Sequence, residues 1–96
     1  MSVYFIVNAT VTDRAKLDEY VAAAGATLRR DDVALRVVTN EAEAIEGEPA
    51  GSRVVVIEFP DRGAFREWYD SEAYQAIIGM RLASTKGFAV LADGFG

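Results

Sequence analysis

Ninety-six residues, 51% apolar and 26% charged, suit a single soluble domain spanning 1–96 whose own core is limited. The chain has no cysteine and no histidine, which excludes disulfides, thiolate catalysis, cysteine-ligated metal centres, the common axial haem ligand and every Ser-His or Cys-His dyad. A net charge of −5, with Arg29 and Arg30 followed at once by Asp31 and Asp32, argues against nucleic acid and anionic membrane surfaces as partners.

The opening MSVYFIVNATVTD has no basic segment of the kind that starts a signal peptide, and no apolar run is long enough to span a bilayer, so the expected location is cytoplasmic. Val3 to Val11 alternates with a period of two and predicts a first strand. Thr12 and Asp13 offer N-cap chemistry for a helix whose Leu17, Tyr20, Val21, Ala24 and Leu28 share one face, with a break expected at Gly25. Asp31-Asp32 marks a turn into a second strand, from Val33 to as far as about Ile45, and a Gly/Pro loop covers Gly47 to Ser52. The acids Glu41, Glu43, Glu46 and Glu48 read as a solvated edge rather than a metal site, because no ligand of known geometry accompanies them.

Arg53 to Phe59 is a third strand, ended by Pro60, which has no donor for the ladder. Asp61 caps a helix with core positions Ala64, Phe65, Trp68 and Tyr69. Ser71 then restarts it, so a bend or break falls at Asp70-Ser71. Gly87 is the expected helix stop, and Phe88 to Asp93 a fourth strand. The order β-α-β-β-α-β predicts an α+β ferredoxin-like domain: a four-stranded antiparallel sheet with its helices on one face.

Alternation sorts the strands into two faces. Phe5, Val7, Ala9, Leu35, Val37, Val55, Ile57 and Phe59 form an inner, wholly apolar one. Tyr4, Ile6, Asn8, Thr10, Arg36, Val38, Val54, Val56 and Glu58 form the other, too apolar for water and too polar for a core. A second copy placed sheet to sheet by a twofold axis would cover it, so a homodimer is expected. Glu58, enclosed there, needs a partner, for which Arg36 and Arg81 are available.

Tyr4, Asp13, Tyr20, Glu46-Gly47, VVIEFPD, WYDSEAYQ and Arg81 together resemble the uncharacterised "domain of unknown function 1330" family over nearly the whole chain. The resemblance implies a ferredoxin-like subunit that dimerises into an α/β barrel. GATLRRDDVALRV stands where such proteins often carry Tyr-Gly-Gly, which weakens a ligand role for Arg36. Within the wider superfamily, Asn8 and Trp68 look similar to the Asn and Trp of haem-degrading enzymes, but the histidine those enzymes add is missing.

The residues expected to contact a small ligand are Asn8, Glu58, Trp68, Tyr69, Tyr74 and Arg81. One reading is a cavity of about 300 Å³ or more for a small organic acid, with Glu58 as proton acceptor at a pKa raised towards neutrality, Arg81 as anion anchor and Tyr69 or Tyr74 orienting the ligand. Ser71, without a base, has no nucleophilic role. Neither a cofactor nor a metal is called for. The other reading is a non-catalytic dimerisation domain in which Glu58 and Arg81 form a closed pair.

Overall fold

The structure, a computed structural model, describes residues 1–95. Its elements run β1 (Val3–Val11), α1 (Arg14–Thr27), β2 (Ala34–Thr39), β3 (Arg53–Phe59), α2 (Arg62–Tyr69), α3 (Glu72–Gln75), α4 (Ile78–Ser84) and β4 (Thr85–Asp93). The strands form one open antiparallel sheet in the order β2-β3-β1-β4. The fold is ferredoxin-like α+β, as the pattern of elements predicts.

β1 sits at the centre because its alternation is the cleanest in the chain. Val3, Phe5, Val7 and Ala9 are all buried, and each stands opposite residues of both β3 and β4. Against this inner face pack Leu17, Tyr20 and Ala24 of α1, Phe65 and Trp68 of α2, and Tyr74 of α3. No helix among the described residues is long and apolar enough to cross a membrane.

β2 departs from simple alternation. Leu35 stands opposite Ile57 but Val37 stands opposite Val56, so Arg36 is an extra residue, a β-bulge. Beyond it the faces exchange: Val38, opposite Val55, lies on the inner face, and Val37 lies on the outer one, the reverse of the expected assignment. The strand also stops at Thr39 rather than near Ile45. Thr39 Oγ1 accepts from the Glu41 amide at 3.0 Å and turns the chain out of the ladder, leaving Ile45 81% exposed.

The helices begin where their caps predict. Asp13 accepts from the Lys16 amide at 3.0 Å, Asp61 from Ala64 at 2.7 Å and Ser71 from Tyr74 at 3.2 Å. α1 continues through Gly25 to Thr27. The break at Asp70-Ser71 is present, and a second interruption separates α3 from α4, where Ile77 bonds back to Tyr74 and Met80 to Ile77, each over only three residues. Gly87 does not end a helix. It lies inside β4 opposite Ala9, where a side chain would collide with the Asn8 carbonyl and the Ala9 backbone. β4 therefore begins at Thr85, directly after α4.

No other part of the described chain covers the outer face of the sheet. Ile6, Val54 and Val56 are half-buried, Val37 and Val90 are exposed, and Phe88 is 53% exposed.

Candidate functional site

The six residues expected to share one site fall on two sides of the sheet. Asn8 belongs to the outer side, where it ties down the loop before β3: its amide donates to the Gly51 and Arg53 carbonyls at 2.9 and 3.1 Å, and its side-chain oxygen accepts from the Ala50 amide at 2.8 Å. All three of these bonds go to backbone, so its role within the chain is to hold that loop. Glu58 also faces outward, opposite Tyr4 and Ala34, and accepts from Arg36 Nε at 2.8 Å. Hydrogen bonding from Ser2, followed by the Arg36 contact, holds the Glu58 carboxyl below its ordinary value. That is the opposite of the raised pKa a proton acceptor poised near neutrality requires.

Trp68, Tyr69, Tyr74 and Arg81 lie on the helix side. Trp68 is 4% exposed. Its indole N–H donates to Thr27 Oγ1 at 2.9 Å, that hydroxyl donates to the Ala24 carbonyl at 2.7 Å, and the ring lies 4.1 Å from the Tyr74 ring, centre to centre. Tyr69 stacks on Phe65 at 5.3 Å. Tyr74 is fully buried, and its hydroxyl lies 2.7 Å from that of Tyr20. One phenol proton bridges the two oxygens; the other has no acceptor among the described residues. Burial, then the nearby Tyr74, push the Tyr20 phenol above its ordinary pKa, so Tyr20 is a neutral hydroxyl.

Glu58 and Arg81 therefore do not form a pair within the chain: the sheet lies between them. Arg81 carries a polar group that the described residues leave unsatisfied. Its Nε is buried and has no hydrogen-bond partner among the described residues. It forms a wall common to two spaces. One, of about 100 Å³, lies between α1 and the inner face of the sheet and is lined by Phe5, Val7, Tyr20, Ile57, Trp68 and Arg53 among others. The second, of about 280 Å³, opens beside β4 and is lined by Tyr69, Leu82, Thr85 and Phe88 with neighbouring strand residues. Each is below the ~300 Å³ at which pockets for drug-sized ligands begin, so a small molecule is the fitting occupant.

Two further residues of the first space, Tyr20 and Arg53, are not among the six expected ligand contacts. Both carried a signal. The parity that turns Val55, Ile57 and Phe59 inward buries Arg53 too, and Tyr20 shares the helical face of Leu17 and Ala24. Among the described residues there is no group of three or more acidic, cysteine or histidine side chains arranged to hold a metal.

The fold is shared with several solved structures. A protein of unknown function from Rhodopseudomonas palustris superposes with a TM-score of 0.81 at 12% identity, covering 99% of this chain and 83% of that one. SnoaB, a cofactor-independent oxygenase from Streptomyces nogalater, gives 0.70 at 18% identity over 99% and 94%. A dimeric ferredoxin-like protein of unknown function from Thermobifida fusca gives 0.64 at 14% identity over 95% and 89%. At these identities the likeness carries the fold and not the reaction. No curated protein matches the sequence. The model of the family described as "domain of unknown function (DUF1330)" matches residues 2–95, and the chain belongs to that family.

Proposed function

We propose that this protein is a homodimer that binds a small organic acid in the space between its helices and the inner face of its sheet, with Arg81 as the anion anchor. The observation that carries the reading is the buried, unpartnered Nε of Arg81 at the wall of an otherwise largely apolar cavity. A buried donor left unmade costs ~1–3 kcal/mol, and more when charged, so a fold that keeps one has a use for it. A ligand carboxylate would supply the missing acceptor through a short charge-assisted bond. Tyr20 and Tyr74, with one phenol proton unspent, add a neutral donor nearby.

Glu58, on the opposite side of the sheet, takes no part in this cavity; its place is the proposed dimer interface, together with Arg36. The exposed Val37, Phe88 and Val90 supply the apolar surface a second copy would cover, and one of the structural neighbours is itself dimeric. Titration calorimetry with propionate, on wild type and Arg81→Gln, tests the ligand reading: binding to wild type, weakened at least tenfold in the variant, is the expected result. Equal binding to both, or none to wild type, would refute it.

A further inference from the structure

Five of the eight arginines have a carboxylate within 4 Å: Arg14, Arg30, Arg36, Arg62 and Arg66. A sixth, Arg29, is exposed to solvent. The remaining two, Arg53 and Arg81, have no carboxylate partner among the described residues, and both line the same cavity. Arg53 is 8% exposed, and its Nη1 donates at 2.8 Å to the neutral Asn40 side chain. Burial lowers its pKa from the ordinary arginine value, and Tyr20, which also lines the cavity, feels the charge of both guanidinium groups. The chain has 15 acidic residues to 10 basic ones, so acids are not scarce, yet none is among the residues that line this cavity. A buried guanidinium at Arg53 and a buried, unpartnered Nε at Arg81, neither bonded to a carboxylate, are costly unless something supplies the acceptor. The lining contributed by Phe5, Val7, Val55 and Ile57 is hydrocarbon, which suits an apolar spacer rather than a compact tetrahedral anion.

We infer that the ligand is a short dicarboxylate, with one carboxylate at Arg81, the other at Arg53, and its methylene spacer along the apolar wall. This rests on the proposed anion role of Arg81 and goes beyond it in assigning Arg53 as a second anchor, with Asn40 as the residue that positions its fork.

Titration calorimetry at fixed ionic strength, with malonate and succinate against propionate, butyrate and inorganic phosphate, tests it on wild type, Arg53→Gln and Arg81→Gln. At least one dicarboxylate is expected to bind ten times or more tighter than either monocarboxylate. Arg53→Gln should abolish that preference while leaving propionate within twofold. If Arg53→Gln fails to fold by circular dichroism, Asn40→Ala takes its place, with a several-fold loss expected for the dicarboxylate alone. Propionate and malonate binding equally, with Arg81→Gln weakening both, would overturn the second anchor and leave the first. Phosphate binding more tightly than every dicarboxylate would overturn the spacer argument. Binding of no acid at all, or binding untouched by Arg81→Gln, would overturn both readings.

Discussion

Tyr74→Phe removes one oxygen from a place water does not reach, since Tyr74 is fully buried and its hydroxyl meets that of Tyr20 at 2.7 Å. The variant loses a neutral hydrogen bond, ~0.5–1.5 kcal/mol net, and strands the Tyr20 hydroxyl, a further ~1–3 kcal/mol. A loss of about 2 kcal/mol is expected, or roughly 10 °C in Tm for a domain of this size. Tyr20→Phe costs about as much or slightly less, because Tyr20 stands nearer to the surface. The double variant replaces both partners with apolar groups of the same shape, so it should cost about 1 kcal/mol less than the sum of the singles. Urea unfolding at one fixed protein concentration measures all four proteins. Additive single effects, or a Tyr74→Phe variant as stable as wild type, would refute the claim that the hydroxyls depend on each other.

Gly87→Ala would drive a methyl group into the Asn8 carbonyl and the Ala9 backbone, so it should destabilise by ~1–3 kcal/mol in thermal unfolding; a neutral effect would deny the close approach of β4 to β1. Asp61→Ala removes the cap of α2 and should cost about 1 kcal/mol in the same assay. Glu58→Gln reports through pH. The carboxyl has a lower pKa folded than unfolded, so its contribution is complete above the ordinary value of about 4.3 and is lost as pH falls through the lowered one. Wild-type stability should therefore fall more steeply than that of the variant on acidification below about pH 5, and parallel curves would contradict the hydrogen bonding assigned to Glu58.

The features legible in the sequence are those written in local pattern. The alternation of β1, the caps at Asp13, Asp61 and Ser71, and the break at Asp70-Ser71 each depend on residues within a few positions of one another. What escaped depends on partners distant in the chain. The bulge at Arg36 is visible only against the register of β3, because a period-two reading has no means of counting one extra residue. Gly87 has the composition of a helix stop and the position of a strand residue, and only the approach of β1 distinguishes them. The site divided for the same reason. Glu58 and Arg81 are the chain's most conspicuous polar residues in apolar surroundings, yet strand parity sends Glu58 outward while α4 brings Arg81 to the inner side. Arg53, at the first position of β3, reads as a strand-starting surface charge until the parity of Val55 and Ile57 is extended back by one step.

The central claim, an acid held by Arg81, is tested most directly by a crystal structure of the protein grown with malonate. The expected result is a carboxylate accepting from Arg81 Nε in the space between α1 and the inner face of the sheet. A carbonyl or carboxylate of the protein or of a second copy bonded to that Nε, with the space filled by side chains, would contradict it.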